Sequence, residues 1–171
     1  NHNVRSLPFI INNEGISTPN YHASNSEIRF SYNNLSSLNK FFSYGFFSEE
    51  TIVFSIPFSL KIPDQDIYIL CSGMSLKDDY MKIKRSQNKF ILEGLPIADQ
   101  NNPRLPYAYF EEIIRRIGNN YISKELLIRI LQLNILIRKK IIEESDLVDN
   151  EVSKTLSKVM KYEISLILSN N

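Results

Sequence analysis

Glu27-Ile28-Arg29-Phe30-Ser31-Tyr32-Asn33-Asn34-Leu35-Ser36-Ser37-Leu38-Asn39-Lys40-Phe41-Phe42-Ser43-Tyr44-Gly45-Phe46-Phe47 is the stretch from which the fold can be read. Ile28, Phe30 and Tyr32 alternate with Glu27, Arg29 and Ser31, the period-2 pattern of a half-buried strand. Leu35, Leu38, Phe41 and Phe42 then recur at helical spacing over residues 34–44, and Gly45 follows as a terminator that tolerates the left-handed conformation of many helix ends. A change of period within so short a span predicts an α+β chain rather than an all-α or all-β one.

Further strands are predicted downstream over residues 52–56, 67–70, 80–84 and 89–93, the last two joined by a hairpin turn at Arg85-Ser86-Gln87-Asn88. The Pro- and Asn-rich residues 95–103 read as a boundary. Beyond Pro106 the spacing is helical. One helix is expected over residues 107–117, ending at Gly118-Asn119-Asn120, and a long one from an N-cap at Ser123 to about Ser145. A last helix starts after the N-cap Asn150, with Val152, Leu156, Val159, Met160, Ile164 and Ile167 largely on one stripe. Residues 1–26, rich in Asn, Ser, Pro and Gly, read as loop, with room for one strand in the short apolar run at residues 7–11.

Composition narrows the function classes. The 171 residues carry 43% hydrophobic and 23% charged side chains, enough for one substantial core or two small ones. A formal net charge of +1 cannot supply the broad positive field of generic nucleic-acid binding. Lys82, Lys84, Arg85 and Lys89 do cluster near Tyr80 and Phe90, but lysines at a sheet edge discourage strand pairing, and that is the simpler reading. Arg138-Lys139-Lys140 followed by Glu143-Glu144 reads as a charged helix surface. The neighbours in Asp78-Asp79 and in Glu111-Glu112 point apart, so neither forms an acid/base or metal pair. One cysteine, Cys71, with His2 and His22 excludes an internal disulfide and a structural zinc site, which favours a reducing compartment. Charges interrupt even the Ile/Leu-rich residues 126–142, so no membrane span is expected.

Three signatures, Asn1-His2, Phe30-Ser31-Tyr32 and Tyr44-Gly45-Phe46-Phe47, stand in an order and separation that resembles the second half of a SET domain. The likeness is to the Rubisco large-subunit methyltransferase-like branch of SET-domain protein methyltransferases. Lys161-Tyr162-Glu163-Ile164-Ser165-Leu166-Ile167-Leu168 loosely fits the last helix of that branch's substrate-binding domain, although charges at such spacing are usually a solvated face. The resemblance implies an α+β arrangement in which the C-terminal end of a SET β-fold (residues 1–50) is followed by a β-rich connecting region (51–105) and a helical substrate-binding domain (106–171). It further implies that the chain is the C-terminal piece of a longer enzyme, inactive in isolation, that moves methyl groups from S-adenosyl-L-methionine to a lysine of a non-histone protein. Ribosomal proteins, translation factors, cytochrome c and Rubisco are substrates in this branch, where histidine methylation also occurs. A cytoplasmic or nuclear location, a protein partner, and neither nucleic acid nor metal accompany that reading.

By the same resemblance Asn1 and His2 hold the cofactor, in a threaded segment beside the Tyr32 strand, and one of Phe46 and Phe47 lies on the adenine face. Tyr32 is the catalytic candidate. Methyl transfer from a sulfonium is an in-line displacement, and a phenol on a rigid strand can accept weak C–H hydrogen bonds from the electron-poor methyl and orient the amine. The lysine must arrive neutral, which desolvation beside a cationic cofactor favours. Tyr44 would line the lysine channel. The alternative belongs to another class: a non-catalytic helical interaction domain with a degenerate SET remnant, docking a protein on its last two helices.

Overall fold

A computed structural model describes residues 10–12, 15–17, 36–62, 66–72, 82–117 and 123–170. The chain divides into two compact units, Asn1–Leu35 and Ser36–Asn171. In the first, β1 (Ile10–Asn12) and β2 (Gly15–Ser17) form an antiparallel hairpin with Ile10 opposite Ser17. The expected strand at 27–32 lies outside the described residues.

The second unit is mixed α+β, as expected. It opens with α1 (Ser37–Tyr44), shorter than the 34–44 spacing predicts because Ser36 is the N-cap, its Oγ accepting from the Asn39 N–H at 3.3 Å. Gly45 closes the helix at φ +75°, its N–H donating to the Phe41 carbonyl at 2.8 Å. β3 (Ile52–Phe54) then pairs antiparallel with β8 (Pro96–Asp99). A separate sheet has the order β4 (Phe58–Lys61), β5 (Tyr68–Cys71), β7 (Lys89–Glu93), β6 (Lys82–Ser86), antiparallel except where β5 runs parallel to β7. The β6–β7 turn falls on Gln87 and Asn88, the second half of the expected one.

Two strands of this unit were not anticipated, nor was β2 in the first. β4 is short and its Phe58-Ser59-Leu60-Lys61 alternation follows Pro57, which breaks the longer apolar run. β8 occupies part of the presumed boundary at 95–103, and all four of its residues are buried. Pro96 is compatible with it because a proline at a strand's first position sacrifices no ladder donor.

Three helices follow: α2 (Leu105–Ile117), α3 (Ser123–Asp146) and α4 (Glu151–Asn170). α2 starts before Tyr107 because Pro106 sits in its first turn, where a missing N–H costs nothing. Asn150 caps α4, its Oδ1 accepting from the Ser153 N–H at 2.8 Å. The main core joins Val53 and Ile97 of the β3–β8 pair and Ile69 and Leu92 of the larger sheet to Ile113 of α2, Ile130 of α3 and Ile167 of α4. A smaller cluster places Phe41 of α1 against Val159 and Met160 of α4. No helix among the described residues is long and apolar enough to cross a membrane.

Three expectations about burial need correction. Arg138 does not share the charged face of its neighbours: it is 0% exposed, whereas Lys139 and Lys140 are exposed, because successive helical residues point about 100° apart. Glu163 likewise is buried at 0% exposure rather than solvated. Val152, placed on the packing stripe of α4, is instead 66% exposed.

Candidate functional site

Of the residues singled out in the sequence, Tyr44, Phe46 and Phe47 are described, whereas Asn1, His2 and Tyr32 lie outside the described residues. Tyr44 ends α1 at 45% exposure, and the left-handed Gly45 turns the chain so that the Tyr44 and Phe46 rings stack, 6.0 Å between centroids and 24° between planes. Phe47 takes a different course. Its ring meets Tyr162 of α4 edge-on at 5.7 Å, and the Lys158 ammonium lies 4.6 Å from its centroid, a cation–π contact.

The chain after this aromatic turn is tied on both sides. Glu50 pairs with Lys40 at 2.7 Å, both of them buried, and its carboxylate also accepts from the Ser48 hydroxyl. The Glu50 N–H donates to Ser37 Oγ at 3.2 Å, and its carbonyl accepts from the Tyr162 hydroxyl at 2.9 Å. Burial holds the Lys40 ammonium below its ordinary pKa, an effect Glu50 opposes. Burial first, then the carboxylates of Glu49, Glu50 and Glu163, raises the Tyr162 phenol above its ordinary value.

A second polar knot lies beneath α1. The Glu163 carboxylate accepts from the Leu38 N–H at 2.9 Å, at the N-terminal end of α1 where the helix leaves N–H groups unpaired and favours negative charge. Its other oxygen receives Arg138 Nε at 3.1 Å and Nη2 at 2.9 Å. Arg138 also donates to the Phe54 carbonyl at 2.9 Å and to Asn134 Oδ1 at 2.8 Å. Asn134 in turn accepts from the Ile56 N–H and donates to Ser55 Oγ, each at 2.9 Å. Burial draws the Arg138 pKa down while Glu163 raises it. α1, the end of β3, α3 and α4 thus meet through one satisfied network.

Sequence reasoning missed this knot, yet a signal was present: Ile130, Asn134 and Arg138 follow each other at i, i+4 on a stripe whose other members are apolar. Beside the knot an apolar groove of about 470 Å³ opens between α1, the β3–β4 connection and the α3–α4 pair, lined chiefly by Leu38, Phe42, Ile56, Ile141, Leu156 and Met160. Elsewhere, Lys84 pairs with Glu93 at 2.6 Å and Arg85 lies over the Phe90 ring at 5.3 Å, both on the hairpin that forms an edge of the larger sheet. Glu112 binds Arg116 and Arg115, whose hydrogen bonds, that of Arg116 first, hold its carboxyl below the ordinary value. Among the described residues no group of three or more His, Cys, Asp or Glu could hold a metal ion. No family model matches the chain, and neither does a curated protein or a solved structure.

Proposed function

We propose that this chain is the C-terminal part of an S-adenosyl-L-methionine-dependent protein-lysine N-methyltransferase of the Rubisco large-subunit methyltransferase-like branch, acting on a non-histone protein. The observation that carries the reading is the ordered set Asn1-His2, Phe30-Ser31-Tyr32 and Tyr44-Gly45-Phe46-Phe47. Two structural features support it. The Tyr44–Phe47 turn closes a capped amphipathic helix, as the resemblance leads one to expect. That turn is also bound, through Phe47 and Glu50, to Tyr162, within the segment of α4 that carries the other half of the resemblance.

In this reading Tyr32 supplies the phenol beside the transferring methyl, and Tyr44 borders the lysine channel. Asn1 and His2 contact the cofactor. One of Phe46 and Phe47 lies on the adenine; Phe47 also meets Tyr162 and Lys158, and Phe46 also stacks on Tyr44. S-adenosyl-L-methionine supplies the electrophilic methyl, and the chain's own groups orient the amine and keep it neutral.

A second reading, a non-catalytic interaction domain, is favoured by the apolar groove. Calorimetric titration of S-adenosyl-L-methionine into the full-length parent separates the two. Saturable binding, weakened about tenfold by Phe46→Ala or by Phe47→Ala through loss of a stacking surface, is the expected result. No binding by the intact protein would eliminate the methyltransferase and leave the interaction domain.

A further inference from the structure

The apolar groove is bordered by exposed apolar side chains. Phe42 stands 71% exposed on α1 at its edge. Across from it, Leu156 and Met160 line the groove, and Val152, one turn before Leu156 on α4, extends their stripe at 66% exposure. The lining residues of the groove include no charged side chain.

Charge begins at the Val152 end. From Glu143 to Lys154 the chain carries the carboxylates of Glu143, Glu144, Asp146, Asp149 and Glu151 against the single Lys154. Glu143, Glu144 and Asp146 fall in the last turn of α3, which has no basic residue, although the helix dipole disfavours negative charge there. Lys140 and Lys161 reach Glu144 and Asp146, and Lys154 reaches both Asp149 and Glu151, which leaves five carboxylates against three lysines at the end of the hairpin. An apolar stripe exposed at Phe42 and Val152 that runs toward an electrostatically unfavourable acidic end is matched by a ligand of complementary pattern.

We infer that this groove docks a segment of a protein partner in which a few apolar side chains are followed by lysine or arginine, the apolar part between Phe42 and Leu156 and the basic part at the α3–α4 turn. A space of about 470 Å³ accommodates several aliphatic side chains. The inference rests on the reading that the partner is a protein, and it names the surface that holds it.

The test uses the full chain and two fluorescein-labelled synthetic peptides, one of leucine and lysine and one of leucine and glutamate at identical leucine spacing, followed by fluorescence anisotropy. The leucine–lysine peptide should bind saturably and the leucine–glutamate peptide should not. Phe42→Ser with Val152→Ser, both at exposed positions, should weaken binding about tenfold with the circular dichroism spectrum unchanged. Glu144→Lys with Asp149→Lys should shift the preference to the leucine–glutamate peptide. No binding, equal binding of both peptides, or indifference to both pairs of substitutions would overturn the inference. Because the assay needs no cofactor, peptide binding by a protein that transfers no methyl group would remove the enzymatic reading alone, and methyl transfer without peptide binding would remove this one alone.

Discussion

Where β3, β8 and α2 meet the long helices, contact is made by Val53, Ile97, Ala98, Ile113 and Ile130, none more than 1% exposed. Where α1 and the aromatic turn meet the same helices, the contact includes Lys40, Glu50, Arg138 and Glu163, also buried. The two regions obtain different properties from equal burial. Apolar burial is non-directional and tolerates volume-conserving exchange, so it holds the β layer without dictating its orientation closely. A buried ion pair gives little net stability after desolvation, but each donor and acceptor accepts only one geometry. The polar network therefore fixes how the Tyr44–Phe47 turn sits on α4, which is what a site built on that turn requires.

The largest effect that could break this contrast is at Glu163. Glu163→Ala strands the Arg138 guanidinium and the Leu38 N–H without their partner and should cost about 3–5 kcal/mol in urea unfolding. Arg138→Met combined with Glu163→Leu should be milder than Glu163→Ala. A double variant as damaging as the single one would mean that the pair supplies stability rather than geometry.

Gly45 comes next. Its φ of +75° penalises any other residue, but a Cβ there would meet nothing within 4 Å. Gly45→Ala should thus cost only the backbone term, about 1–2 kcal/mol, without disturbing the packing. A larger loss in thermal unfolding would show that the turn is more tightly enclosed than its geometry indicates. On the apolar side Ile113→Val should cost about 0.5–1.5 kcal/mol and leave the near-ultraviolet circular dichroism of the tyrosines unaltered. An altered tyrosine signal would contradict the separation of roles.

The smallest effect is pH-dependent. The Tyr162 phenol has a folded pKa above its unfolded value of about 10, so its contribution is fully present below that pH and is lost as pH rises through the folded value. Stability should decline more steeply above pH 10 in the wild type than in Tyr162→Phe, measured by urea midpoints. Parallel curves would remove Tyr162 from the account of the turn.

Much of the α part was legible because helix signals are local: the apolar spacing of α1, Gly45 at its end and Asn150 before α4 each act within a turn or two. The hairpin of β6 and β7 was legible for the same reason. β8 was not, since Pro96 and the asparagines after it resemble a linker, and only pairing with β3, distant in sequence, makes a strand of it. Buried charge was the other gap. Arg138 adjoins two exposed lysines, and what separates it from them is its position on the Ile130–Asn134 stripe. For the candidate site, Tyr44, Phe46 and Phe47 could be named from the sequence, but the attachment of this turn to α4 depends on side chains more than 100 residues away, as in the bond from Tyr162 to Glu50, 112 residues apart.

The most direct measurement for the proposed activity is radiolabelled methyl transfer from S-adenosyl-L-methionine to candidate protein substrates by the full-length parent and its Tyr32→Phe variant. Phenylalanine keeps the ring and removes the oxygen beside the methyl. Transfer by the wild type and a loss of roughly 10²- to 10³-fold in the variant, with cofactor affinity little changed, is the predicted result. Equal rates would mean that Tyr32 is not the catalytic phenol, and no transfer to any protein by the wild type would contradict the methyltransferase assignment.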